Sequence, residues 1–121
     1  MRLTREYAFQ AAHQLPGVPA GHKCARLHGH SYTLVVSVDG EVDPVTGMVL
    51  DFAEIDKAVV PVVDLVDHRH LNDVDGLANP TAENLARWVW QHLERVLPSL
   101  SRVEVRETVS SAVVYEGPGS T

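Results

Sequence analysis

The chain has 121 residues, enough for one hydrophobic core and one domain over 1–121 but too few for two. Its formal charge of −6 argues against a general nucleic-acid surface, which needs a basic face. Apolar runs of only a few residues leave no membrane span and no secretory segment, and the lone Cys24, unable to form an internal disulfide, fits a cytoplasmic protein.

Thr4–Gln14 is rich in strand formers and ends at the turn signal Leu15-Pro16-Gly17. Pro16–Arg26, with two prolines and two glycines, reads as a loop carrying His22, Lys23 and Cys24. Ser31–Val38 alternates in the strand period. Asp39–Gly47 is a connection. Asp51 and Glu54 have capping-box spacing before a helix marked by Phe52, Ile55, Val59, Val62 and Val66, which Pro61 should kink or shorten. Asp67–Asp75 is polar and irregular. Thr81 caps a second helix whose stripe runs from Leu85 to Val96 and stops near Pro98. Arg102–Glu107 and Ala112–Glu116 are two further strands, and Gly117–Thr121 reads as a loose tail. The order strand, strand, helix, helix, strand, strand predicts an α+β fold, a four-stranded antiparallel sheet with both helices on one face. Its exposed edges predict self-association.

The chemistry concentrates in His13, Cys24, His28 and His30. His28 and His30 are two apart, so if the strand Ser31–Val38 already begins at His28, both rings project from one face. A third histidine from a neighbouring strand completes a three-nitrogen platform, the ligand set of a catalytic zinc ion with a fourth position open. A nearby cation lowers the pKa of the Cys24 thiol and makes it a usable base or nucleophile. The same residues also allow a closed structural site with Cys24 as fourth ligand; spacing leaves both open. Gly29, between the two histidines, allows the backbone to approach another group closely. His22, Lys23, Arg26 and Arg69 put basic groups beside this site in an acidic protein, which suggests a small anionic substrate.

Three further groups have a chemical and a plain reading. Asp67 and His68 pair a carboxylate with an imidazole, able to orient a general acid or base, or simply form a solvated loop. Glu107 continues the face of Val103 and Val105, where a carboxylate needs a partner, unless a bulge turns it out to water. Thr81 and Glu83 read first as ordinary helix capping. His22, His70 and His92 follow no pattern that singles them out; His92 looks like a helix-face residue.

Taken together, Phe9-Gln10-Ala11-Ala12-His13, Gly21-His22-Lys23-Cys24, Leu27-His28-Gly29-His30, Gly40-Glu41-Val42-Asp43-Pro44, Asp51-Phe52, Asp67-His68, Leu71-Asn72-Asp73, Asn79-Pro80-Thr81 and Glu107-Thr108 resemble the 6-pyruvoyl-tetrahydropterin synthase superfamily. The likeness is greatest to its bacterial 6-carboxy-5,6,7,8-tetrahydropterin synthase branch, of queuosine biosynthesis. The three residues between Cys24 and His28 match that branch; the enzymes making 6-pyruvoyl-tetrahydropterin typically carry a longer insertion there. The resemblance implies zinc on His13, His28 and His30, Cys24 as general base, and Asp67 with His68 as its proton relay. It implies that Glu107 anchors a pterin ring and joins the relay, helped by Thr81 and Glu83. Lys23, Arg26 and Thr108 complete the substrate-binding candidates. The implied substrate is 7,8-dihydroneopterin triphosphate. The implied fold is the tunnelling fold, whose subunits join their sheets into a barrel, as a hexamer of two trimers with active sites at subunit interfaces.

Overall fold

A computed structural model describes residues 1–119. Strands β1 (Arg2–His13) and β2 (His28–Asp39) form a long antiparallel pair, followed by helix α1 (Phe52–Asp64), the short strand β3 (Arg69–His70), helix α2 (Ala82–Leu93), and strands β4 (Leu100–Thr108) and β5 (Ser111–Tyr115). The sheet order is β3-β1-β2-β4-β5. It therefore has five strands among the described residues, not four. The added strand comes from the segment that composition marks as irregular: Arg69 and His70 pair in parallel with Ala11 and Ala12. A two-residue strand is too short to leave a periodic signature, so only its partner reveals it.

Strand alternation sorts the sheet into two faces. Phe9, Ala11, Tyr32, Leu34, Val36, Val38, Val103 and Val105 are buried and join one core with Ile55, Val59 and Val62 of α1 and Leu85, Ala86, Val89 and Leu93 of α2. Both helices thus close the same face. Asp51 caps α1 by accepting the Ala53 amide at 2.9 Å, and Thr81 caps α2 by accepting that of Asn84 at 3.1 Å. Pro61 lies inside α1, on an exposed position one turn from its end, where the missing donor costs little. Phe52 stays exposed at the first position of α1, and α2 ends three residues before Val96, which is exposed while Leu97 takes the buried place.

Two anchors hold the periphery. Asp56 on α1 accepts from Tyr7 Oη at 2.6 Å and from Arg5 Nε and Nη2 at 3.1 and 3.0 Å, tying the helix to β1. At the other end, the expected loose tail is in part fixed: Gly117 is buried, with φ +102°, against the Trp90 indole. Ser120 and Thr121 lie outside the described residues.

A Cβ at Gly117 would lie 2.7 Å from Trp90 Cζ2 in a backbone conformation that L side chains rarely adopt. Gly117→Ala is therefore expected to destabilise the fold by about 1–3 kcal/mol, read as a lowered melting temperature. The Tyr7 hydroxyl, then Arg5, holds the Asp56 carboxyl below its ordinary range. That contribution is complete above the unfolded value, about 3.9, and disappears as pH falls through the lower folded value. Asp56→Asn should accordingly show a shallower loss of stability in acid than the parent, measured by denaturant melts at successive pH values.

Candidate metal centre and active site

The face that carries the core continues, at one end of the sheet, into three histidines. His13 stands opposite His28 and Ala11 opposite His30 in the β1–β2 register, so all three rings share the helix-covered face. Their ring nitrogens lie within 4.8 Å of one another, and Cys24 is not part of this group. His13 is buried, while His28 and His30 are half-buried at the mouth.

Backbone carbonyls set the protons. Nδ1–H of His13 donates to Pro80 O at 2.8 Å, and Nδ1–H of His28 donates to Arg26 O at 2.7 Å. A neutral imidazole has one N–H, so both Nε2 atoms present bare lone pairs, yet they stand 3.0 Å apart. Two acceptors at that distance repel unless a cation lies between them. Burial pushes the His13 pKa down against the opposing pull of Pro80 and Glu107, favouring the neutral form a ligand needs. His30 Nε2 is buried with no hydrogen-bond partner. Tetrahedral zinc with Zn–N bonds near 2.05 Å needs donors about 3.3 Å apart, so the donor set, the tautomers and the orphan nitrogen all fit such an ion.

Glu107 keeps the inward direction its alternation predicts. A register shift does occur between β4 and β5 beside it, but its Oε2 lies 3.8 Å from His30 Nε2. Glu107 lines three clefts. One, of about 380 Å³, is shared with Lys23, Cys24, His28, His30 and Thr108; a second, of about 310 Å³, has Leu15, Thr81 and Glu83 among its walls; a third, of about 410 Å³, is shared with Gly29, His30, Ser31 and Arg106. Thr108 Oγ1 is 2.9 Å from Ser111 Oγ at the β4–β5 turn. Arg26 is exposed and contributes its carbonyl to His28.

Asp67 and His68 sit elsewhere. His68 lines a cleft of about 560 Å³ with Gln10, Gly29, His30 and Ser31; Cys24 lines another, and His30 borders both. Asp67 Oδ1 accepts the Gln10 amide at 3.0 Å and lies 2.8 Å from His68 Nδ1, while the His68 amide donates to Gln10 O. That clamp holds His68 at φ +58°, a left-handed conformation costly for a residue with a side chain. The Gln10 amide first, then His68, keeps the Asp67 carboxyl below its ordinary range and charged. Gly29 is not required for a close approach: a Cβ there would meet Ala11 O at an ordinary 3.6 Å.

Sequence reasoning missed several supports. His22 Nδ1 accepts the Cys24 amide at 3.0 Å. Asn72 binds both backbone groups of Gln14, at 3.0 and 2.7 Å, and so fixes the chain just beyond His13. The motif Leu71-Asn72-Asp73 carried that signal; the carbonyls of Pro80 and Arg26 carry none, because every residue has one.

The family model of 6-pyruvoyl tetrahydropterin synthase matches residues 2–118, and the chain belongs to that family. It is 42% identical over 120 residues to 6-carboxy-5,6,7,8-tetrahydropterin synthase of Synechocystis, covering 94% of this chain and 92% of that protein. It is 36% identical to human 6-pyruvoyl tetrahydrobiopterin synthase, covering 96% and 91%; that alignment runs over 132 positions, so the human protein has residues this chain lacks. The solved Caenorhabditis elegans 6-pyruvoyl tetrahydropterin synthase superimposes with a TM-score of 0.88 at 32% identity, over 97% of this chain and 95% of that one.

Removing one of three ligands should abolish the site. His28→Ala is expected to lower zinc affinity by about two orders of magnitude or more, measured by competition with a chelating dye. Full metal occupancy in that variant would contradict the ligand set.

Proposed function

We propose that this family member is a zinc-dependent lyase that converts 7,8-dihydroneopterin triphosphate to 6-carboxy-5,6,7,8-tetrahydropterin, acetaldehyde and triphosphate, a step of queuosine biosynthesis in the cytoplasm. The observation that carries the reading is the trio His13, His28 and His30, its unprotonated nitrogens converging beside a cleft that holds both Cys24 and Glu107. The Synechocystis relative bears the name of that activity.

Zinc held by His13, His28 and His30 would supply Lewis acidity, making protons on the substrate side chain easier to remove. Cys24 takes a proton from that side chain as the general base, in the cleft it shares with Lys23. Glu107 accepts hydrogen bonds from the pterin ring and orients it; Thr81 and Glu83 border the adjoining space and complete the ring's seat. Lys23 and Arg26 offer positive charge to the triphosphate. Asp67 holds His68 in one tautomer, and His68 passes protons to or from the reacting side chain. The ring gains the electrons the side chain loses, so no redox cofactor is required.

Because His68 and Cys24 border different clefts of one chain, the relay reaches the thiol by way of a neighbouring copy. Free sheet edges support this: β5 ends the sheet on one side, and on the other β3 covers only Ala11 and Ala12 of β1. A hexamer of two trimers, with sheets joined into a barrel, is the assembly proposed.

A synthase that stops after triphosphate elimination is the second reading, since the human relative is named for a 6-pyruvoyl product. The short Cys24–His28 spacing favours the first. The deciding assay incubates zinc-loaded protein with 7,8-dihydroneopterin triphosphate and identifies products by mass, with acetaldehyde trapped separately. 6-Carboxy-tetrahydropterin with matching acetaldehyde is expected; a 6-pyruvoyl product without acetaldehyde would select the second reading. Cys24→Ala should stay folded and zinc-loaded while turnover falls by about a hundredfold or more, the contribution of a positioned general base.

A further inference from the structure

We infer that His22 is a positioning residue for Cys24: its imidazole accepts the Cys24 amide proton and so fixes where the thiol is presented. The inference rests on the reading of Cys24 as the general base. Cys24 sits in a three-residue 3-10 turn, Lys23–Ala25, within the loop that links β1 to β2. One turn of helix cannot sustain itself, because its single set of hydrogen bonds does not offset the entropy of ordering the backbone. The turn is held from outside. Leu15, two residues beyond the ligand His13, donates its amide to Cys24 O at 2.8 Å. His22 O accepts the Ala25 amide at 3.0 Å, and His22 N–H donates to Pro19 O at 2.8 Å.

Those bonds are backbone to backbone and available to any sequence. The bond from Cys24 N–H to His22 Nδ1, at 3.0 Å, is the one that a side chain supplies. It gives His22 the place of an N-cap, where serine, threonine, aspartate and asparagine are the usual occupants. The ring is otherwise exposed and makes no second hydrogen bond or ion pair among the described residues, so core packing does not account for it. The imidazole must therefore carry its proton on Nε2, leaving Nδ1 as the acceptor. With the amide bound by His22 and the carbonyl by Leu15, the Cys24 backbone is fixed on both sides, and the side chain is directed into the cleft of His28, His30 and Glu107.

The test separates the acceptor from the imidazole. His22→Ala removes the acceptor; His22→Asn replaces it with a side-chain oxygen that can reach the same amide. The zinc-loaded parent and both variants are compared by zinc content, by steady-state kinetics with 7,8-dihydroneopterin triphosphate, and by the rate of iodoacetamide labelling, which reports Cys24 alone because the chain has one cysteine. His22→Ala is expected to keep its zinc and lose about tenfold in kcat with KM changed less than about twofold, since a group that only places the base acts on the reacting geometry. His22→Asn is expected to recover most of that loss and to label at the parent rate, from which His22→Ala departs. Parent-like kcat in His22→Ala, equal impairment of both variants, or loss of zinc from His22→Ala would overturn the inference. Should the parent itself prove inactive, the proposed reaction fails, and labelling still decides on His22: equal rates in all three proteins would refute its role.

Discussion

Two unprotonated ring nitrogens held 3.0 Å apart, His13 Nε2 and His28 Nε2, form the contact on which this end of the molecule depends. Neither ring can turn away, because each is tied through Nδ1 to a carbonyl, of Pro80 or of Arg26. Both carbonyls lie in connecting segments outside the sheet, one just before α2 and one just before β2. The connections are thus as much a part of the candidate metal site as the strands. A cation held by the three rings would offset the repulsion of the facing lone pairs, and metal binding should stabilise the connections together with the site.

The site and the core are one face of one sheet. Val36, Leu34 and Tyr32 lead along β2 to His30 and His28, and Phe9 and Ala11 lead along β1 to His13. Register is set by burial at the apolar end, because a slip by one residue would expose the entire hydrophobic set. The same register then places the histidines opposite one another at the other end without any separate device. Glu107 arrives by the third strand of this face, following Val103 and Val105. The helices close the apolar part and leave the polar end open to clefts that Glu107 borders.

Asp67 and His68 lie at the edge of the sheet, just before β3. Gln10 lies on β1 between the inward Phe9 and Ala11, and its backbone clamps both Asp67 and His68. The strain of His68 at φ +58° is sustained by that clamp. The Asp67 carboxylate is kept charged there, beside the exposed His68 imidazole, and neither residue shares the cleft of Cys24.

Alternation in Ser31–Val38 and Arg102–Glu107, the caps Asp51 and Thr81, and the helical stripes determined the α+β architecture from sequence, because these are local regularities that burial enforces residue by residue. The two-residue spacing of His28 and His30 likewise determined that they share a face. Their meeting with His13 depended on the pairing of β1 with β2, a non-local choice that spacing suggests but cannot impose. Beyond the reach of sequence lay the strand Arg69–His70, the carbonyls that orient His13 and His28, the His22 cap on Cys24, and the separate clefts of His68 and the thiol. Each depends on which backbone group comes to lie beside which side chain after the chain has closed, and the backbone is chemically the same at nearly every residue. Only the tertiary structure could decide them.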